Sequence, residues 1–218
     1  MKQTEANIWD NIWARKNLWT SIIDLGRNIY NFFFKRVLRR YLSPKSRMLE
    51  IGCGSSTLSL SLASSIKELV GADISPEALD RSRREALNRG VSNVTFVLGD
   101  CRKLAFEPNF DFVWSQGLIE HFDDPGQIVG EHYRMLAPGG TALLSVPYKY
   151  SYHTLWYIIT RPRLLRFLWP WTDQVFFSKQ ELLALGQQYC PSAQVFFLRP
   201  LFLGIVFLEM RKPKSVSV

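Results

Sequence analysis

The sequence predicts an α/β fold whose centre is a mostly parallel β-sheet. Short apolar runs alternate with segments of helical periodicity between Met48 and Pro147, and this alternation is typical of βα units. Five such repeats with right-handed crossovers place the strands side by side in one sheet. A chain of 218 residues is long enough for one such domain with a substantial core and too short for two.

An amphipathic helix is expected in the N-terminal flank, over residues 22–41. Apolar side chains recur there every three or four residues, and most basic side chains fall outside that stripe. A helix of this kind packs on its own domain or lies on an anionic membrane surface. We favour the packed arrangement and keep a peripheral contact with the inner membrane surface as an alternative.

Each predicted strand of the core ends in a turn and leads into the next element. Ser75 is suited to cap one helix, with Pro76 at its first position. Pro138-Gly139-Gly140 is expected to stop another. Strands are expected at residues 49–51, 69–72, 94–98, 112–115 and 141–146, and helices at residues 58–66, 77–88 and 127–136.

The C-terminal region predicts a helix followed by a β-hairpin. Ser178 is expected to cap the helix over residues 179–189, and the apolar runs 193–198 and 204–210 form the hairpin at the sheet edge. We therefore expect a single domain. Its parts are an N-terminal helical cap (1–44), a core (45–147), a lid (148–177) and a C-terminal helix and hairpin (178–218).

Charge is divided unevenly along the chain. The net charge of +8 arises from −5 in residues 48–147, +7 in residues 1–47 and +6 in residues 148–218. Six of the seven tryptophans also lie in the two flanks. Either the flanks simply carry more surface Lys and Arg, or they build a site for a molecule that is anionic, apolar or both.

The three cysteines, Cys53, Cys101 and Cys190, are widely separated and form no CxxC pair. This spacing predicts neither a metal site nor a disulfide framework, and it suits a reducing, cytoplasmic compartment. The polar N-terminus gives no sign of a cleaved signal peptide. No apolar run is long enough to predict a membrane span.

The most informative segment is residues 48–57, MLEIGCGSST, where an apolar run breaks into a glycine turn. Asp73 and Asp100 end the next two apolar runs, so parallel strands would bring these acids to the same edge as the turn. Thr57 stands where a dinucleotide site has its third glycine, and Glu50 would repel a pyrophosphate. The pattern therefore favours a positively charged nucleoside without phosphates.

At these residues the chain resembles the class I S-adenosylmethionine-dependent methyltransferases. Residues 110–115 are similar to the fourth strand of that family, residues 116–125 to the segment after it, and residues 135–147 to its PGG turn and fifth strand. The resemblance covers roughly residues 45–147 and is to the small-molecule group that includes the quinone-biosynthesis methyltransferases. It implies a Rossmann-like, doubly wound, mostly parallel seven-stranded sheet with a C-terminal antiparallel strand, N-terminal helices and an aromatic lid insertion.

The resemblance implies S-adenosylmethionine as cofactor. Glu50 would lie near its ammonium, Asp73 would bind the ribose hydroxyls, and Asp100 would accept a hydrogen bond from the adenine amino group. The other residues of the implied cofactor site are Gly52, Cys53, Gly54, Ser55, Ser56, Ile74, Cys101, Ser115 and Gln116.

His121 follows the fourth strand, where related enzymes place a residue facing the methyl acceptor. Its imidazole could act as a general base, which in-line methyl transfer needs when the acceptor carries a proton. The alternative is a structural histidine bonded to a backbone carbonyl, and the sequence leaves this open.

The lid begins where the acceptor must enter, and its aromatic residues suit a planar or lipid-like small molecule. The arginines that follow, Arg161, Arg163 and Arg166, suit a carboxylate or phosphate on that molecule. The candidate acceptor-binding residues are Tyr148, Tyr150, His153 and Trp156.

The sequence disfavours a nucleic-acid partner. After the fourth strand the chain reads Ser115-Gln116-Gly117-Leu118, without the Asn/Asp-Pro-Pro-aromatic tetrapeptide of enzymes that methylate base amines. The basic balance still permits phosphate contacts, so an RNA methyltransferase is kept as an alternative. A second alternative is a non-catalytic or membrane-recruited module that binds S-adenosylmethionine. The sequence does not determine the acceptor or the oligomeric state.

Overall fold

A seven-stranded mixed sheet lies at the centre of the computed structural model, which describes residues 5–14, 30–161 and 172–214. The strands are β1 (Arg47–Ile51), β2 (Glu68–Asp73), β3 (Val94–Leu98), β4 (Phe110–Gln116), β5 (Leu136–Pro147), β6 (Gln194–Phe197) and β7 (Ile205–Arg211). Their order is β3-β2-β1-β4-β5-β7-β6. Among these seven strands, β7 alone runs in the direction opposite to the other six. This arrangement confirms the predicted fold class and the C-terminal hairpin.

Helices cover both faces of the sheet. Ser75 accepts a hydrogen bond from the Ala78 N–H and Pro76 follows at the helix start, as predicted. Ser178 caps its helix in a capping box with Glu181. The helices are α1 (Glu5–Ala14), α2 (30–38), α3 (Thr57–Leu60), α4 (Pro76–Asn88), α5 (Pro125–Arg134), α6 (Tyr152–Thr160) and α7 (Lys179–Gln187), with 3-10 turns at Ala63–Ser65, Ile119–His121 and Leu201–Leu203.

The core is divided into two apolar clusters because successive side chains of a strand point to opposite faces of the sheet. On β1, Leu49 and Ile51 belong to the cluster covered by α5 and α7, whereas Met48 belongs to the other. That second cluster includes Trp114 of β4 and is covered by α2 and α3. Strands buried on both faces explain the nearly continuous apolar runs of the sequence.

Two predicted helices differ from those observed. The helix expected at 58–66 stops at Leu60 and continues only as a 3-10 turn, since the Ser61 hydroxyl donates to the Leu58 carbonyl and ends the helix. The helix expected at 127–136 runs from Pro125 to Arg134 instead, because Asp124 caps it earlier. The Pro-Gly-Gly segment lies inside β5, beside a register shift against β4.

The described part of the predicted N-terminal helix packs on the domain. Phe34, Val37 and Leu38 of α2 are buried, whereas Arg36 is exposed. The rest of that prediction, residues 22–29, lies outside the described residues, as do lid residues 162–171 with Arg163 and Arg166. Within the described ranges, no helix combines the length and the apolar character needed to cross a membrane.

Candidate functional site

The carboxyl ends of β1 to β5 open on one cavity of about 410 Å³. The segments after β1, β2 and β3 form what we call its cofactor side, and those after β4 and β5, with α2 and α6, form its acceptor side. Helix α1 also contributes to the wall. Ligands of open α/β sheets bind at this edge, so the topology places the predicted site where the sequence expected it.

The turn after β1 requires glycine. Gly52 and Gly54 have φ values of +66° and +52°, which side chains other than glycine rarely adopt. The N–H groups of Gly52 and Cys53 both donate to the Ala72 carbonyl, which ties the turn to β2. Ser56 has a φ of +48°, and its hydroxyl donates to Glu50 Oε2 at 2.5 Å. The turn therefore exposes backbone to the cavity.

Glu50 lies in the cavity wall but is only 5% exposed. Burial raises the pKa of its carboxyl to about 8, against an ordinary value of 4.5, because the charged form loses its contact with water. Ser56 stabilises the charged form only in part. A cationic ligand at this place would restore the ionised carboxylate.

Asp73 holds the turn and the start of α4 together. Its Oδ2 accepts from the Gly54 N–H at 2.8 Å, and its Oδ1 accepts from the Ser75 N–H at 2.9 Å. Burial still raises the pKa of Asp73, since desolvation outweighs these hydrogen bonds. Each oxygen keeps a further lone pair, so the carboxylate can accept two hydroxyl groups from a ligand.

Asp100 lies on the same side of the cavity but is paired differently. Both carboxylate oxygens accept from the Arg102 guanidinium, the shortest contact being 2.6 Å. This pairing holds the pKa of Asp100 below its usual value. The carboxylate of Asp100 is therefore paired with a cation, whereas the buried carboxyl of Glu50 is bonded to the neutral hydroxyl of Ser56.

His121 lies in the 3-10 turn after β4 and lines the cavity. Its Nδ1 is 2.7 Å from Thr172 Oγ1 and 3.4 Å from the Asp173 carbonyl oxygen. Trp9 of α1 packs edge-on against the imidazole, with ring centroids 5.1 Å apart. Burial lowers the pKa of His121 to about 4, so the ring is neutral at pH 7.

The acceptor side is mainly aromatic and apolar. Phe34 of α2, Tyr152 of α6 and Ile205 of β7 contribute to it. Tyr30 and His153 are within 3.3 Å of each other, and both contact the carbonyl oxygen of the buried residue Leu203. These contacts leave a pocket suited to a small, largely apolar molecule.

Helix α1 covers the cavity through residues that the sequence reasoning did not select. Trp13 lies over Gly54, where an added Cβ would come within 2.4 Å of the indole. Asp10 accepts from the Ser75 hydroxyl and from the Glu77 N–H, at the start of α4. Helix α1 thus contacts three parts of the site: Trp13 the turn after β1, Asp10 the start of α4, and Trp9 the ring of His121. The clustering of tryptophans in the flanks was the only sequence signal for this cover.

The structure brings most of the predicted site residues together. Ser115 is buried behind the wall, where its carbonyl accepts from the Ser145 hydroxyl. Tyr148 packs against Phe197, while Tyr150 is 73% exposed, and neither lines the cavity. Trp156, 40% exposed, is also outside the wall. The predicted residues that line the cavity are Glu50, Gly52, Cys53, Gly54, Ser55, Ser56, Asp73, Ile74, Asp100, Cys101, Gln116, His121 and His153.

The wall is acidic. Its acidic residues are Glu50, Asp73, Asp100 and Glu120, and no Lys or Arg lines the cavity within the described parts of the chain. No group of three or more His, Cys, Asp or Glu suited to a metal occurs among the residues that the structure describes. The cavity is therefore electrostatically suited to a cationic ligand.

A family model described as a methyltransferase domain matches residues 49–144. A ubiquinone biosynthesis O-methyltransferase of Xanthomonas campestris is 32% identical over 111 residues, which are 50% of this chain and 46% of that protein. The chain thus spans about half the length of this curated relative.

Solved structures share the fold. A methyltransferase of Haloferax volcanii in complex with the Trm112 methyltransferase activator superimposes with a TM-score of 0.71 at 19% identity, over 94% of this chain and 98% of its own. Phosphoethanolamine N-methyltransferase 2 of Haemonchus contortus, in complex with phosphomonomethylethanolamine and S-adenosylhomocysteine, gives 0.68 at 18% identity, over 94% of this chain and 61% of its own. The domain match, the similarity to an O-methyltransferase and the glycine turn together support a class I S-adenosylmethionine-dependent methyltransferase domain at residues 49–144.

Proposed function

We propose that the protein transfers the methyl group of S-adenosylmethionine to a small, largely apolar acceptor by in-line displacement. The observation that carries this proposal is the single cavity in which Glu50 and Asp73 lie on one side and His121 borders the other. When bound, S-adenosylmethionine supplies an electrophilic methyl group on a cationic sulfur.

The residues of the cofactor side fit this molecule. A cationic ligand supplies the countercharge that the buried carboxyl of Glu50 lacks. Asp73 is held by two backbone N–H groups, in an orientation suited to paired ribose hydroxyls. Gly54 lets Trp13 pack directly on the turn, which completes the wall of the cofactor side. Asp100 and Cys101 complete the wall that we assign to the adenine.

His121 is proposed as the general base. If Nδ1–H donates to the Asp173 carbonyl and Thr172 Oγ1, the lone pair lies on Nε2, which can take the proton of the acceptor. The lowered pKa keeps that nitrogen unprotonated at neutral pH. Trp9 holds the ring and excludes water from it.

The acceptor is proposed to be a small molecule with an apolar body. The aromatic wall of Phe34 and Tyr152 supports this, and so do the names of the relatives, one an O-methyltransferase and one an N-methyltransferase. The sequence expectation of a negative charge on the acceptor gains no support from the described wall, which carries no Lys or Arg.

Incubation of the protein with methyl-labelled S-adenosylmethionine and a whole cell extract, followed by separation of small molecules, RNA and protein, tests the proposal. The expected result is label in a low-molecular-mass product, absent with the Asp73→Ala variant. Label only in RNA or protein, or none at all, would contradict it.

We propose a peripheral membrane contact as a second function, favoured by the exposed apolar side chains of α6. Helix α6 exposes Leu155, Trp156 and Ile158, which are 60%, 40% and 61% exposed, close to the acceptor side. Exposed apolar patches of this kind mark interaction sites. Arg36, Arg39 and Arg40 are also exposed. The protein is expected to co-sediment with anionic vesicles, and the variant with all three arginines changed to Gln is expected not to. Equal binding to anionic and zwitterionic vesicles would contradict the membrane proposal.

A further inference from the structure

Glu120 is buried in the acceptor side of the cavity wall, and one of its two carboxyl oxygens is unpaired among the described residues. The residue is 2% exposed, and its Oε2 atom has no hydrogen-bond partner in the part of the chain that the structure describes. An unpaired polar group in a protein interior costs free energy unless a ligand satisfies it. This carboxyl therefore indicates a polar ligand group nearby.

The backbone fixes Glu120 at the tip of β4, next to His121. Its carbonyl accepts from the Val175 N–H at 2.7 Å. Its side chain folds back over Gly117, where an added Cβ would lie 3.2 Å from Glu120 Oε1. The carboxyl is thus held beside Gly117 at the carboxyl end of β4, within the same turn as the proposed base.

Two further polar groups of the same wall lack partners. Gln174 Nε2 and Asn31 Oδ1 are both buried atoms without a hydrogen bond to the described residues, and both residues line the cavity. Gln174 precedes Val175, which is bonded to Glu120, so the amide and the carboxyl lie in adjoining segments. A donating group on a ligand would satisfy Glu120 or Asn31, and a group that also accepts, as a hydroxyl does, would satisfy Gln174.

The charge of the wall distinguishes between head groups. A carboxylate or phosphate would lose water in a wall whose described residues offer no Lys or Arg to pair with it, whether Glu120 is protonated or ionised. An amine or hydroxyl can donate to that carboxyl in either of its protonation states. Burial raises the pKa of Glu120 to about 8, so a cationic amine would also supply the missing countercharge.

We propose that Glu120 binds the methyl acceptor through a hydrogen-bond-donating head group, an amine or a hydroxyl, and disfavours acceptors that present a carboxylate or phosphate there. The inference rests on the proposed function and names its substrate class. Glu120 is then an acceptor-binding residue that orients the nucleophilic group beside His121, while the cofactor is held by other side chains.

Three ring-matched probes test this: benzylamine, benzyl alcohol and benzoate, which differ only in the head group. Each is titrated into the full chain saturated with S-adenosylhomocysteine, and binding is followed by ligand-observed NMR. The wild type is expected to bind the amine and the alcohol at least about tenfold more tightly than the benzoate. Glu120→Ala is expected to lose that preference, with little change for the benzoate.

Two variants control for structure. Glu120→Gln keeps the volume of the side chain, and Asp123→Ala removes an exposed acid three residues away that does not line the cavity. Asp123→Ala is expected to retain the wild-type preference. Glu120→Gln is expected to lower the affinity for the amine more than the affinity for the alcohol. Both Glu120 variants are expected to bind S-adenosylhomocysteine as the wild type does.

The outcomes separate this inference from the proposed function. Any affinity order that does not favour the amine and the alcohol, including no binding of any probe, overturns the inference alone. A Glu120→Gln variant with weakened S-adenosylhomocysteine binding also overturns it, since the carboxyl would then serve the cofactor. Failure of the wild type to bind S-adenosylhomocysteine overturns the proposed function as well.

Discussion

The indole of Trp13 lies directly over Gly54, so close that a Cβ on Gly54 would come within 2.4 Å of the ring. Gly54 also donates its N–H to Asp73 and has a φ of +52°. The glycine is therefore required both by the backbone conformation and by the helix that covers it. This contact joins the N-terminal flank to the predicted cofactor turn.

Gly54→Ala is expected to weaken S-adenosylmethionine binding by about tenfold or more, because the methyl group displaces Trp13 from the cavity wall. The left-handed backbone adds a cost of about 1–2 kcal/mol to the free energy of folding. Calorimetry and urea unfolding measure the two effects.

Gly90→Ala is the matched control for that strain. Gly90 has a φ of +64°, but an added Cβ there would meet nothing within 4 Å. Gly90→Ala should lower the free energy of unfolding about as much as Gly54→Ala does, and it should keep the wild-type affinity for S-adenosylmethionine. Equal affinities of the two variants would show that the contact with Trp13 does not matter for the cofactor.

Asp10 is expected to hold α1 over the cavity, since it accepts from the Ser75 hydroxyl and the Glu77 N–H. Asp10→Ala should accelerate dissociation of S-adenosylmethionine, and a double-mutant cycle with Ser75→Ala should give a coupling energy of about 0.5–3 kcal/mol. Stopped-flow fluorescence of the tryptophans measures the rates. Additive effects of the two substitutions would mean that this hydrogen bond does not hold the helix.

Glu50 is expected to make cofactor affinity depend on pH. Its pKa is about 8 without ligand, so the carboxyl is protonated below that pH, and a bound cation favours the ionised form. Binding should therefore release protons near pH 7, and affinity should rise as the pH increases toward 8. Calorimetry in two buffers of different ionisation enthalpy measures the protons. Glu50→Gln should abolish their release; a full release in that variant would assign it to another group.

His121 is expected to act in the chemical step rather than in cofactor binding. His121→Asn should lower kcat by roughly 10²–10⁴-fold with little change in S-adenosylmethionine affinity. Because burial lowers the pKa of His121 to about 4, activity should persist well below pH 6 in the wild type. A pH–rate profile and single-turnover kinetics provide the measurements. An unchanged kcat would leave the imidazole with a structural role.

The cofactor side could be predicted from sequence because it depends on local pattern and topology. Glu50 lies near the end of β1, and Asp73 is the last residue of β2. Because β1 and β2 are parallel neighbours, the fold alone brings both residues to one edge of the sheet. The pairing of Asp100 with Arg102 was missed, although the two residues lie close in the chain. Their ion pair depends on side-chain geometry that strand periodicity does not encode.

The acceptor side could be predicted less well. The position of Tyr148 and Tyr150 after β5 predicts a place at the entrance for the acceptor, yet Tyr148 packs against Phe197 and Tyr150 points to solvent. Conversely, Trp9 and Glu120 reach the cavity through contacts between distant segments. Such contacts are tertiary, and neither helical nor strand periodicity distinguishes a residue that makes them from one that does not.

The most direct test of the account is calorimetric titration of S-adenosylmethionine into the wild type, Asp73→Ala and the control Asp80→Asn, which changes an exposed acid of α4. The wild type and the control should bind equally, and Asp73→Ala at least about tenfold more weakly. Tight binding that is unaffected by Asp73→Ala would contradict the placement of the cofactor at the carboxyl ends of β1 and β2.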